Sequence, residues 1–231
     1  MQDKKVKETN DSGDKINDFI RKNRKGIFII LGALCIMFAG IIVYITWLDA
    51  YRKNSIAEVE ELSSRFNDLS FSINDENYKD EVDALLADLE AFADKNRELA
   101  AGRAYSYIAR IYSGREEWSL CEEAWIKAAN AGTKTYLGPI ALFNVAVAAE
   151  EQGKIEQAIE YLQKSIDHPF EFPAAPRAQF NMGRLYEKNG DNQAAIEAYR
   201  AVLINWPEIP VWQHFARNAI IAIEVQDTIN N

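Results

Sequence analysis

Between Gly26 and Leu48 the chain runs for 23 residues without a charge. Wound as an α-helix at ~1.5 Å per residue, such a run is ~35 Å long, enough to cross a hydrocarbon core of ~30 Å with some tilt. A cleavable leader has a shorter apolar region, about 7–15 residues, and ends in a small-x-small site. This run ends Tyr44-Ile45-Thr46-Trp47-Leu48, which is bulky. Before Cys35, the stretch Leu31-Gly32-Ala33-Leu34 puts Leu where a lipoprotein cleavage site wants a small residue. A retained transmembrane helix over 26–48 is therefore expected. Its flanks orient it. Arg21, Lys22, Arg24 and Lys25 crowd the N-terminal side, with Lys4, Lys5, Lys7 and Lys15 further out, whereas Asp49, Arg52 and Lys53 follow the run. Basic residues stay on the cytoplasmic side, which predicts a cytoplasmic N-terminus and an extracytoplasmic segment from residue 49 to 231. Tyr44 and Trp47 stand where an outer aromatic belt would place them. Gly32, Cys35 and Ala39 form a small-residue stripe, either a helix-contact face or a chance spacing.

Charge divides at the same place. Residues 1–25 carry 8 Lys/Arg against 5 Asp/Glu, a net of +3, and the remainder carries 18 against 30, a net of −12. The first 25 residues are polar, mixed in charge and aperiodic, and read as a mostly disordered basic tail. An acidic segment repels nucleic acid, so no nucleic-acid partner is expected. Cys35 lies in the span and Cys121 beyond it, so no disulfide framework is expected and the exported part must hold together by packing.

From residue 49 on, Gly and Pro are few and fall between helical patterns, and no stretch alternates as a strand would. The predicted fold class is all-α. In residues 178–208, AQFNMGRLYEKNGDNQAAIEAYRAVLINWPE, the positions of Gly183, Tyr186, Gly190, Ala195, Tyr199 and Pro207 carry the spacing of a tetratricopeptide repeat. Gly183 and Ala195 are small where two helices of a hairpin come closest, Tyr186 and Tyr199 fill the space beside them, Asn189-Gly190-Asp191 turns, and Pro207 stops the second helix. Stepping back 37 residues finds Ala146, Ala149, Gly153, Ala158 and Leu162; a second step finds Ala109, Tyr112, Cys121 and Trp125, with Ala128 beyond and Glu116 where the turn glycine should be. The usual period is about 34, and the extra residues fall in links near Thr133–Gly138 and Pro169–Pro173, which should loosen or alter the stacking. Upstream, residues 49–97 read as a degenerate first hairpin, with helices near 49–69 and 77–95; no Pro or Gly separates Leu48 from Ile56, so the first continues the membrane helix. Residues 98–209 are three repeats. After Pro210 a last helix, in 210–231, is placed to serve as an end cap with a polar outer face.

A basic tail, one span and an acidic array of such repeats resemble the single-pass periplasmic tetratricopeptide proteins of bacteria typified by the ancillary subunit of the Sec translocon. The resemblance covers nearly the whole chain, and its specific part is the repeat signature of residues 103–207. It implies a bacterial inner (cytoplasmic) membrane, association with the translocon and with periplasmic chaperones, and assistance to exported proteins as they emerge.

No converging catalytic set is apparent, and no enzyme activity, cofactor or metal is expected. His168 sits in a link and His214 in the last helix, neither with a ligand at i+3 or i+4, and Cys121 falls at a packing position. Asn74-Asp75-Glu76-Asn77 lacks a spaced calcium loop. The acidic runs Glu58-Glu60-Glu61, Asp75-Glu76, Glu122-Glu123 and Glu150-Glu151 read as solvated helix faces. Repeat arrays bind protein on the concave face formed by the first helix of each pair. That face contains Arg103, Ser106 and Arg110, then Ile140, Phe143, Val147 and Glu150, then Arg177, Phe180, Arg184 and Lys188. Aromatic anchors flanked by arginines suit an extended peptide or a helix bearing a carboxylate; the alternative is that Phe143 and Phe180 only pack against the neighbouring repeat or the last helix. The expected function is a membrane-tethered protein-interaction scaffold. The other reading is a structural subunit of an oligomeric envelope complex serving cell division, the cell wall or a surface machine.

Overall fold

The structure, a computed structural model, describes residues 2–230. Its elements are α1 (Gln2–Leu69), a 3-10 turn (Glu76–Tyr78), α2 (Lys79–Lys95), α3 (Glu98–Gly114), α4 (Trp118–Gly132), α5 (Leu137–Glu151), α6 (Ile155–Ile166), α7 (Ala175–Lys188), α8 (Asn192–Asn205) and α9 (Pro210–Asn230). No strand occurs among the described residues, and the helices form a tetratricopeptide-type solenoid. Two units divide the chain, residues 1–54 and 55–231.

The described residues of the first unit are helical throughout. α1 reaches back to Gln2, so residues 2–25, whose composition reads as a mostly disordered tail, are helical here. An apolar helix is already nucleated, and adding residues to it needs only propagation. Residues Phe19–Leu69 include an 18-residue window of mean hydropathy 2.8, and by length and composition this helix can cross a membrane. A core helix of a soluble protein would be covered, but Phe28, Ile29 and Ile36 expose 72%, 72% and 76% of their surface. Tyr44, Trp47 and Tyr51 form a ladder of rings at the end of the apolar run, with centroids 6.4 Å and 5.9 Å apart.

In the second unit, residues 55–69 of α1 pair with α2 through Val59, Leu62, Phe66, Val82, Leu85 and Leu89. Three hairpins follow, α3/α4, α5/α6 and α7/α8. Each turns in the same way. The amide of Gly190 donates to Glu187 O and that of Asp191 to Tyr186 O; Gly153 and Lys154 repeat this toward Glu150 and Ala149, and Glu116 and Glu117 toward Ser113 and Tyr112. This is the Schellman arrangement, which requires a left-handed residue at the turn. Gly153 and Gly190 supply it at φ +73° and +81°, and Glu116 adopts it at φ +59° without being glycine. In the last hairpin a Cβ on Gly183 would stand 2.4 Å from Cε1 of Tyr199, which is why the helices can approach this closely only at glycine.

The lengthened links are filled rather than loose. Thr135 Oγ1 donates to Gly132 O at 2.8 Å and ties down the first. In the second, Phe172 is buried against Phe143, with ring centroids 5.9 Å apart, and His168 closes over Gly138, where a Cβ would meet Nε2 at 2.6 Å. α9 packs on α8 as an end helix, Ala216, Ile220 and Ile223 meeting Ala195, Tyr199 and Val202. Its outer face is not polar: Val211, Phe215, Ile221, Val225 and Ile229 are exposed there.

Candidate functional site

The residues expected on the concave face fall on the first helices α3, α5 and α7, and side chains from successive first helices touch in register. Arg103 Nη1 lies 2.5 Å from Glu60 Oε1. Arg110 lays its guanidinium over the Phe66 ring, 4.4 Å from the centroid, and 5.9 Å from that of Tyr107. Arg177 does the same over Phe143 at 5.2 Å. Arg184 makes a two-pronged pair with Glu150, Nη1–Oε1 2.7 Å and Nη2–Oε2 2.5 Å, and Lys188 adds a second cation at 3.5 Å. Phe180 is half-buried, its ring 5.0 Å from Tyr199, 5.6 Å from Trp212 and 6.1 Å from Phe215.

These contacts sort the seven candidates. Phe143 is buried and serves the core between repeats. Arg103 and Arg184 are committed to carboxylates of the preceding repeat, and Arg184 holds the Glu150 carboxyl below the usual carboxylate range through their hydrogen bonds. Phe180 is largely covered by α9. Arg110, Val147 and Arg177 remain exposed. Each free guanidinium is stacked on a phenylalanine of the preceding first helix. Such stacking fixes the plane of the fork while leaving its N–H donors to solvent, ready for a carboxylate. Among the described residues neither Arg110 nor Arg177 has a carboxylate partner. The free surface is thus narrower than the sequence suggests, two oriented arginines and the exposed Val147.

Most of the acidic residues are exposed, as expected of solvated faces, but three of the runs each commit one carboxylate to a contact between repeats. Glu60 and Glu150 are the anchors just described. Glu122 is buried, and accepts from Gln152 Nε2 at 2.6 Å and Lys154 Nζ at 2.8 Å, which joins α4 to the turn of the next hairpin. One carboxylate in each of three runs therefore staples neighbouring repeats. Sequence reasoning missed Phe66, the ring under Arg110; its only signal was the shared helical spacing of α1 and α3.

The groups considered for chemistry have local partners. Asp75 Oδ1 accepts from Asn77 N at 2.9 Å and caps the 3-10 turn. Burial pushes the Cys121 thiol up to about 11 and lowers the His168 imidazole below its ordinary value. His214 is exposed beside Asn218, Nδ2–Nδ1 3.2 Å.

Comparison with known proteins agrees with this geometry. Residues 146–208 match the family model described as tetratricopeptide repeat. A TPR repeat-containing protein of Treponema pallidum (strain Nichols) is 36% identical over 147 residues, which is 62% of this chain; the match spans about 60% of that relative's length. Two crystal structures of nearly identical TPR-like repeats, from a Podosopora anserina chain designated kinesin light chain, share the fold at 16% identity. Their TM-scores are 0.57 and 0.51, covering 73% and 72% of this chain and 87% and 96% of theirs. Residues 146–208 are thus similar to the tetratricopeptide repeat, and the fold of the helical array is a tetratricopeptide-type solenoid.

Proposed function

We propose that this protein is a membrane-tethered scaffold that holds protein partners on the concave face outside the cytoplasm and assists exported proteins at the Sec translocon. The observation that carries this reading is the pair Arg110 and Arg177, each exposed and oriented on a phenylalanine ring, in a domain otherwise acidic. A carboxylate-bearing peptide or helix meets two pre-set forks there, at little cost in side-chain ordering. Tethering supports weak contacts, because anchored chains stay near other membrane proteins. The orientation rests on Arg21, Lys22, Arg24 and Lys25 against an outer flank in which Lys53 is paired with Asp49 at 2.8 Å. Protein export, the inner membrane and the periplasmic side come from the resemblance in arrangement.

The test compares proteins co-purifying, in mild detergent, with the wild-type chain and with an Arg110→Glu/Arg177→Glu chain. Translocon subunits, chaperones or exported clients that are retained by the first and lost from the second support the reading. A single cell-division, cell-wall or surface-organelle partner, held equally by both chains, would replace it with the structural-subunit reading.

A further inference from the structure

The helix α9 follows the last hairpin, and no second helix follows it among the described residues. α3, α5 and α7 are each followed by an antiparallel mate, whereas among the described residues no helix packs along the outer side of α9, although the Phe215 ring reaches Phe180 of α7, centroids 6.1 Å apart. Its inner face is occupied: Gln213, Ala216, Ile220 and Ile223 are buried toward α8. The outer face presents Val211, Phe215, Asn218, Ala222, Val225 and Ile229, all exposed, with Ile229 at 77%. Their steps of four, three, four, three and four residues form the a/d seam of a coiled coil. The flanking positions, Trp212, His214, Ala219, Ile221, Gln226 and Thr228, carry no Lys, Arg, Asp or Glu. The charges of this helix lie elsewhere and engage neighbours: Glu224 with Arg200 at 3.9 Å, Asp227 with Asn192 at 3.1 Å, and Arg217 with Gln213 at 3.3 Å.

A seam with this period is completed by another helix of the same period, not by an extended peptide. The pattern is also its own mirror along the chain. A two-fold axis at the level of Ile220, perpendicular to the helix, sets Val211 opposite Ile229 of a second copy, Phe215 opposite Val225, and Asn218 opposite Ala222. Each layer then pairs a larger residue with a smaller one. Parallel pairing would instead set Phe215 against Phe215 and leave a gap between two Ala222 methyls. The antiparallel sense matches that of the hairpins and opposes the helix dipoles favourably. Two copies of a segment of net −12 repel over most of their surface; this uncharged strip is where they can meet. We propose that α9 is a dimerisation helix, paired antiparallel with α9 of a second copy through Val211, Phe215, Asn218, Ala222, Val225 and Ile229. The strip is about 30 Å long and about 10 Å wide, so it covers less than the ~800 Å² per partner of a standard stable interface. The pair is accordingly weak in dilute solution and forms where chains are concentrated on one membrane; only that last clause rests on the anchor reading.

The test uses the full-length chain in membranes, with Cys35→Ser to remove the exposed thiol; Cys121 is buried. Val211→Cys and Ile229→Cys chains, distinguishably tagged, are produced together and treated with a short bis-maleimide. The expected result is a strong 211–229 adduct between the two tags, weak adducts within each tag, and at least a tenfold loss of all of them when Val225→Glu is added. Ile229→Lys, at a largely exposed position, gives the same loss of dimer in size measurements while helicity and melting stay unchanged. Equal 211–211 and 229–229 adducts would overturn the antiparallel pairing. Adducts insensitive to Val225→Glu, no adduct at any chain density, or adducts only to another protein would overturn the second copy as occupant.

Discussion

The hairpins α3/α4 and α7/α8 reach the same turn with different residues. In α7/α8 the left-handed position is Gly190, the close contact is Gly183 against Tyr199, and Asp191 caps α8 by accepting from Ala194 N at 2.9 Å. In α3/α4 the turn is Glu116, the equivalent positions are Ala109 and Trp125, both buried in one cluster, and Glu117 makes no side-chain cap. The backbone hydrogen bonds nevertheless coincide. The hairpin is thus imposed by the packing of its two apolar faces, and the turn residues adjust its stability without selecting it. The matched family region, 146–208, includes the glycine turns and stops short of the Glu116 turn, as this difference would produce.

Exchanging the distinguishing residues tests that comparison. The largest effect is expected from Gly183→Ala, whose methyl would overlap the buried Tyr199 ring; overpacking of this kind costs about 2–3 kcal/mol and should show as a lowered urea midpoint. Gly190→Ala should cost about 1 kcal/mol, since a Cβ is disfavoured in the left-handed region. Arg184→Met should cost about 1 kcal/mol or less at neutral pH, because a half-exposed pair is screened by solvent. Its pH dependence has a definite sign. Arg184 lowers the folded-state pKa of Glu150 from the ordinary 4.5, so the pair contributes fully above that value and is lost as pH falls through the lowered one. Wild type and Arg184→Met should therefore converge in acid. The smallest effect, and the only gain, is Glu116→Gly: relief of the left-handed glutamate, less the entropy of glycine, stabilises by roughly 0.5 kcal/mol. A loss on Glu116→Gly equal to that of Gly190→Ala would show that the two turns are not equivalent.

Much of this fold is legible in the sequence because small and aromatic residues at fixed spacing report helix contacts directly. Gly183, Tyr199, Gly190 and Pro207 do so, and the earlier hairpins follow by stepping back. The concave face is only half legible. Spacing places Arg103, Arg110, Arg177 and Arg184 on one face, but which of them stay free depends on what the preceding helix offers across the gap. Glu60 and Glu150 take two; Phe66 and Phe143 support the other two. For Arg177 and Arg184 that register passes through the lengthened link at 169–173, whose buried Phe172 gives no local pattern to read. The seam of α9 shows a clear period, yet a helix after the last repeat reads most simply as a cap, and the cap expectation hides it.

The division of the concave face into structural and free residues is best tested by placing a photoreactive side chain, one position at a time, at Arg110, Val147, Arg177, Phe143 and Arg184, and irradiating intact cells. Adducts to other proteins at 110, 147 and 177, with none at 143 and 184, are the predicted result. Adducts at 143 as strong as at 147, or none at 147 and 177, would contradict it.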